Sequence, residues 1–321
     1  MSYGVGFASF LVTFTAVVFY SRTSNTVIES DVSRVRRDTS DTSDRIKFDE
    51  LYDGTYSYSR FSATWSKVDS EFYFKSDDTT EPSIWRQQFN FDHFASTGET
   101  VKGDKVSLVN KKWKSYCEGG CSTYYVSPDE KYVLFQKTNK QLWRRSYKKQ
   151  FYIFDTETQK NIEGSVFDQF NPESNCLYAG WAPLGSAIAA VCGFNLYYIN
   201  LNDGKLTNKQ ITVDGDEFEM LNGVCDWANE EENIKADNTI YWNQDSTAIL
   251  FASYDLTEVD LLEYNTYHYD QFRKMESMSD RYPDVRKIKY AKAGTNPAKV
   301  IMKVFNTVSG KTEDINYTST H

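Results

Sequence analysis

Residues 181–191 read "WAPLGSAIAAV": a tryptophan, a small residue, a Pro-Leu-Gly turn, then an apolar run. Proline presets one corner of a tight turn and glycine supplies the positive φ of the next, so the stretch predicts a hairpin. The same shape recurs in "WSKVDSEFYF" from Trp65, "VSPDEKYVLF" from Val126 and "WNQDSTAILFA" from Trp242, at intervals of 61, 55 and 61 residues. A second motif, an apolar strand followed by an Asp/Asn-led turn, appears in "YIFDTETQK" from Tyr152, "YYINLNDGK" from Tyr197 and "KVFNTVSGK" from Lys303. Two hairpins per period make a four-stranded unit, and regular repetition of such units is the signature of a β-propeller. The expected fold is therefore all-β, a propeller of four-stranded blades over residues 47–321. About four blades are visible, which reads as an incomplete larger propeller. A β-sandwich is the alternative.

Composition agrees with a sheet protein. Aromatics make up 16% of the 321 residues, and such side chains suit a pleated, half-buried surface. The net charge of −9 and the lack of a basic stripe exclude nucleic acid as a partner.

The first 20 residues differ from the rest. From Tyr3 to Tyr20 no charge occurs and Arg22 follows, a run long enough to cross a bilayer as a signal-anchor or to serve as a cleaved signal peptide. A buried strand is the third option. Residues 21–46, rich in Ser, Thr, Asp and Arg, read as a flexible stalk. Within it "RVRR" (34–37) is either a processing site or a solvated charge cluster.

Five cysteines suit an oxidising compartment. Cys117 and Cys121 in "CEGGC" close a short loop, and Cys176 and Cys192 flank the "PLGS" hairpin, so each pair is a candidate disulfide. Cys225 is left over as a small buried apolar residue. Asn316-Tyr317-Thr318 is a glycosylation sequon. The histidines His93 and His268 sit in aromatic, strand-like contexts that favour simple packing. No metal-binding, phosphate-loop or dinucleotide motif occurs, so neither a metal nor a cofactor is expected.

One stretch breaks the strand pattern: "DWANEEENI" (226–234) places three glutamates in a row. Asn229 is expected to cap a helical turn whose first three positions are Glu230 to Glu232, where the helix dipole offsets part of their repulsion. The acids are then either a solvated helix start or a clamp for a cation. A peptide's α-amine, with a pKa of about 7.7–8.0, is largely cationic at neutral pH and fits such a clamp through charge-assisted hydrogen bonds.

Taken together, "LWRRSYKKQFYIFD" (142–155), "GWAPLGSAIAAV" (180–191), "NGVCDWANEEE" (222–232), "ASYDLTEVDLLEY" (252–264) and "YAKAGTNPAKV" (290–300) resemble successive landmarks of the dipeptidyl peptidase IV family. "FDELYDGTYSYSRFSATWS" (48–66) resembles its first blade. The resemblance implies an eight-bladed propeller over an α/β-hydrolase domain that releases N-terminal dipeptides, with Pro or Ala preferred at the second position. It implies that Glu231 and Glu232 hold the substrate's free amino group and that Arg144 orients its backbone carbonyl; no role carries over to Arg145. The chain contains no G-x-S-x-G nucleophile motif, so it is expected to be the substrate-recognising part of such a serine peptidase, not catalytic by itself. A non-catalytic propeller ectodomain that binds peptides or proteins is the alternative, as are several chains completing one propeller. Expected partners are peptides or proteins with a free N-terminus, the membrane through the N-terminal segment and, left open, a second copy in a homodimer. The family's topology implies a single-pass type II protein of the plasma membrane with an extracellular propeller, or a secreted form.

Overall fold

The apolar runs of this chain carry almost no polar alternation because their strands are covered on both faces. In the segment Tyr132–Phe135 every side chain is buried, and Tyr132 and Leu134 point to one neighbouring sheet while Val133 and Phe135 point to the other. Successive residues of a strand face opposite sides, so one strand supplies two interfaces at once.

The computed structural model describes residues 63–67, 70–75, 83–89, 102–109, 113–173, 175–201, 205–267 and 282–315. The expected membrane segment, the stalk with its "RVRR", His93, His268 and the sequon at Asn316 lie outside them. The chain divides into two units, Met1–Thr64 and Trp65–His321, and every strand from Glu71 onward lies in the second.

Nineteen strands occur among the described residues. Blade one has the order β1 (Ala63–Trp65), β2 (Glu71–Lys75), β3 (Ile84–Phe89), β4 (Lys102–Val109). Blade two comprises β5 (Thr123–Val126), β6 (Tyr132–Gln141), β7 (Tyr147–Asp155) and β8 (Lys160–Asn161), paired in that order and antiparallel. Blade three comprises β9 (Cys176–Trp181), β10 (Ala187–Cys192), β11 (Asn195–Asn200) and β12 (Thr207–Gln210), again in sequence order. A single residue pair, Lys149 opposite Cys176, joins the sheets of blades two and three. The aromatic-turn motifs from Trp65, Val126 and Trp181 and the Asp/Asn-turn motifs from Tyr152 and Tyr197 begin on strands of these blades, and those from Trp242 and Lys303 begin on strands of blade four.

Blade four departs from the repeat in two ways. Its first strand is split into β13 (Met220–Asn222) and β14 (Ile240–Trp242), which pair along the same side of β15 (Ala248–Asp255). Its connection from β15 to β18 (Lys299–Asn306) carries an extra hairpin of β16 (Leu261–Thr266) and β17 (Asp284–Lys289) before β19 (Thr312–Asp314) closes the blade.

Three cores lie between consecutive blades. Tyr73, Ile84 and Val109 of blade one meet Val133, Phe135 and Phe154 of blade two, with the Phe135 and Phe154 rings 5.7 Å apart. Leu134, Phe151 and Ile153 face Ile188, Ala190 and Ile199 of blade three, capped by Phe167 on the short helix α1 (Phe167–Phe170). Ala189, Val191 and Leu196 face Leu221, Ile249, Phe251 and Phe305 of blade four. A sandwich would have one core between two sheets; a series of sheets, each packed on the next, is the propeller arrangement, and the sandwich alternative is set aside.

Both candidate disulfides are formed. Cys117 and Cys121 are bonded at the edge of the first interface, and Cys176 and Cys192 are bonded directly opposite each other on β9 and β10. Cys225 is a free, buried thiol.

Candidate functional site

The split in blade four's first strand creates the site. Asn222 and Ile240 lie close together along β15, opposite Ser253 and Phe251, although 17 residues separate them. The ladder closes over the gap: Gly223 donates to the Ala252 carbonyl at 2.9 Å, Ala252 donates to Thr239 at 3.2 Å, and Thr239 donates to Gly223 at 2.8 Å. Residues 223–239 therefore leave the sheet as a closed excursion, and the acidic run rides on it.

Within the excursion, α2 (Trp227–Asn229) continues into a wider π turn over Glu230–Ile234, and Lys235 ends it in the left-handed conformation. The cap is Asp226, in extended conformation, and Asn229 is already helical. This corrects the sequence-based expectation that Asn229 caps the turn. Its side chain instead donates to Asp226 Oδ1 at 2.6 Å and accepts from Asn233 at 2.7 Å. The helix starts one turn early because the chain must turn out of the sheet at Gly223. The glutamates consequently sit beyond the first turn, where the helix dipole gives them little help.

Compensation comes from the tip of the β6–β7 hairpin of blade two. Glu230 is 1% exposed. Its Oε1 accepts the Arg145 backbone N–H at 2.7 Å and its Oε2 accepts the Ser146 hydroxyl. A buried carboxylate needs its lone pairs filled, and these donors fill them. The tip is itself fixed: Leu142 and Trp143 both donate to the Ser146 carbonyl, and their side chains pack on the core between blades three and four. The three glutamates thus divide by environment. Glu230 is structural, Glu231 is partly covered, and Glu232 is exposed.

Arg144, on the same tip, places Nη1 2.5 Å from Glu231 Oε1. The arginine side chain is 69% exposed and the glutamate 25%, so the pair is worth little as a stabiliser and remains available to a ligand. Two further contacts seat the excursion. Trp227 packs its ring 5.1 Å from that of Tyr290, and Lys149 on β7 donates to Asp237 Oδ2 at 2.6 Å. Beneath the run, burial first and then the charges of Glu230 and Asp226 push the Cys225 thiol up to about 12.

The structure thus brings Arg144, Glu231 and Glu232 into one neighbourhood from two blades, 87 residues apart in the chain for the Arg144–Glu231 pair. Two acids beside an arginine present acceptors for a cation and a donor for a carbonyl. Glu230, Lys149 and Asp237 were not singled out in the sequence. The charge pattern held no signal for the last two, since only the fold makes them neighbours.

Comparison with known proteins identifies the family. Residues 127–320 match the family model described as dipeptidyl peptidase IV (DPP IV) N-terminal region, well over half of the chain. The chain belongs to this family. Dipeptidyl peptidase 4 of Sus scrofa is 31% identical over 195 residues, which is 60% of this chain and 24% of the relative. The prolyl endopeptidase FAP of Homo sapiens is 26% identical over 275 residues, 86% of this chain and 32% of the relative. The crystal structure of Porphyromonas gingivalis dipeptidyl peptidase 4 superposes with a TM-score of 0.63 at 20% identity, covering 85% of this chain and 35% of that one. At that identity the likeness is one of fold. The chain covers only 24 to 35% of the length of these DPP IV-like relatives, and the family first read from W-R-R-S-Y and D-W-A-N-E-E-E is the one the match supports.

Proposed function

We propose that the blade-two tip and the blade-four excursion recognise the free amino terminus of a peptide, as the substrate-gating part of a DPP IV-like serine peptidase that releases N-terminal dipeptides. The observation that carries this reading is the meeting of Arg144 and Glu231 at 2.5 Å, with Glu232 exposed beside them. An ammonium has three donors and no acceptor; Glu231 and Glu232 take two of them, and Arg144 donates to the first carbonyl of the peptide. Such a clamp measures distance from the chain end, which an exopeptidase requires. The uncharged run Tyr3–Tyr20 supports a membrane-anchored, extracellular location, which detergent partitioning and protease protection of intact cells would check.

The test is binding of an Ala-Pro-initiated peptide and its N-acetylated twin to the full-length protein. Glu231→Gln and Glu232→Gln are each expected to weaken binding of the free-amine peptide about thirtyfold to several-thousandfold, the cost of about 2–5 kcal/mol for removing one partner of a charge pair that the bound peptide desolvates. The acetylated peptide should bind poorly throughout. Above pH of about 8, where the amine loses its proton, affinity should fall about tenfold per pH unit. Equal affinity for the two peptides would overturn the reading in favour of a protein-docking ectodomain.

A further inference from the structure

The excursion is gripped by blade two on both sides of the glutamates. On the N-terminal side Glu230 takes the Arg145 N–H and the Ser146 hydroxyl. On the C-terminal side Asp237 takes the ammonium of Lys149, three residues past Ser146 on β7, at 2.6 Å. Lys149 is 7% exposed, and the second oxygen of Asp237 accepts from the Asn238 side chain at 3.0 Å. Asp237 also lies within electrostatic reach of two tyrosines on blades two and three: its charge adds to burial in raising the phenols of Tyr125 on β5 and Tyr178 on β9.

From this we infer that Lys149 and Asp237 are positioning residues for the amine clamp, an inference that rests on the function proposed above. Trp227 on Tyr290 and Glu230 on the hairpin tip hold the excursion only ahead of Glu231 and Glu232, and would leave the end of the π turn free to swing. The attachment at Asp237 removes that freedom. The chemistry of the pair points the same way. A buried ion pair adds little net stability compared with packed apolar residues of the same volume. What it supplies is direction: the largely buried Lys149 ammonium donates to Asp237, and a seating of the excursion that parts them leaves that charge unpaired.

The experiment is a mutant cycle in the full-length protein. Lys149→Met and Asp237→Asn are introduced singly into the wild type and into Glu231→Gln, with the free and acetylated Ala-Pro peptides as probes and thermal unfolding in parallel. Each is expected to weaken the free-amine peptide about tenfold, the scale of coupling between residues of one network, and to leave the acetylated peptide unchanged. In the Glu231→Gln background the further loss should shrink to within about twofold. The charge-reversed pair Lys149→Asp with Asp237→Lys should recover part of the affinity, and Asp237→Asn carries the test if Lys149→Met does not fold. Unchanged affinity in folded variants, or an undiminished loss in the Glu231→Gln background, overturns the inference while the clamp stands. If Glu231→Gln alone leaves free-amine binding intact, the clamp itself fails and this inference falls with it.

Discussion

Glu230, Glu231 and Glu232 share one charge and one stretch of chain, yet their surroundings differ completely. Glu230 is enclosed and satisfied by a hairpin 84 residues away, whereas Glu232 stands in solvent. No local pattern encodes that division, so the sequence showed an acidic run without showing which member was structural. Cys225, by contrast, was legible as the cysteine left without a partner. Its burial makes a definite prediction. In the unfolded chain a thiol titrates near about 8.5, while in the fold it is held up to about 12. The unfolded form therefore gives up its proton first as pH rises, and the contribution to stability is complete below about 8.5 and lost progressively above it. Tyr178, raised to about 12 by burial, acts in the same direction from about 10 upward. The urea midpoint should fall steadily from pH 8.5 to 11. A non-reducing thiol assay should find no reactive group in the native described region and a single one, Cys225, after denaturation. Three thiols instead of one would mean that one of the two disulfides is not formed.

At the scale of elements, the hairpins were legible and the excursion was not. Each aromatic-turn motif lies on a strand–turn–strand because Pro, Gly and Asp supply the required turn angles locally. The break in blade four's first strand has no such local cause: the ladder along β15 simply resumes 17 residues later. Asn229 was misread as the cap for the same reason, since Asp226 and Asn229 are both good caps and only the exit from the sheet chooses between them. That exit turns on Gly223, at φ +76°, where a Cβ would sit 3.0 Å from Val191 and 3.1 Å from Ile240. Gly223→Ala meets both a strained backbone and an already filled core. We expect a loss of about 1–3 kcal/mol, typical of overpacking, seen as a lower urea midpoint with an unchanged slope. Val191→Ala should relieve part of it by making room. A Gly223→Ala protein as stable as the wild type would mean that the excursion can leave the sheet by another route.

At the scale of the molecule, the period of the motifs revealed the blades, while their order of packing follows from strand alternation. Because Leu134 and Phe135 are adjacent on β6, one faces blade three and the other blade one, and both are fully buried. In an array of units that touch only their neighbours, stability is approximately the sum of each unit and its interfaces. Truncating either residue should cost several kcal/mol, about 2–5 for Leu134→Ala and about 3–5 for Phe135→Ala, but the damage should travel in opposite directions. Hydrogen exchange gives the readout. Phe135→Ala should speed exchange in β2, β3 and β4 and leave β10 and β11 near wild-type rates; Leu134→Ala should do the reverse. The clamp adds a further expectation, because its two halves sit on blades two and four with blade three between them. Leu134→Ala, which loosens the packing on blade three, should weaken binding of the free-amine peptide more than Phe135→Ala does. Uniform acceleration across all blades in both variants would show that the four sheets unfold as one cooperative body, and the clamp would then depend on global stability alone.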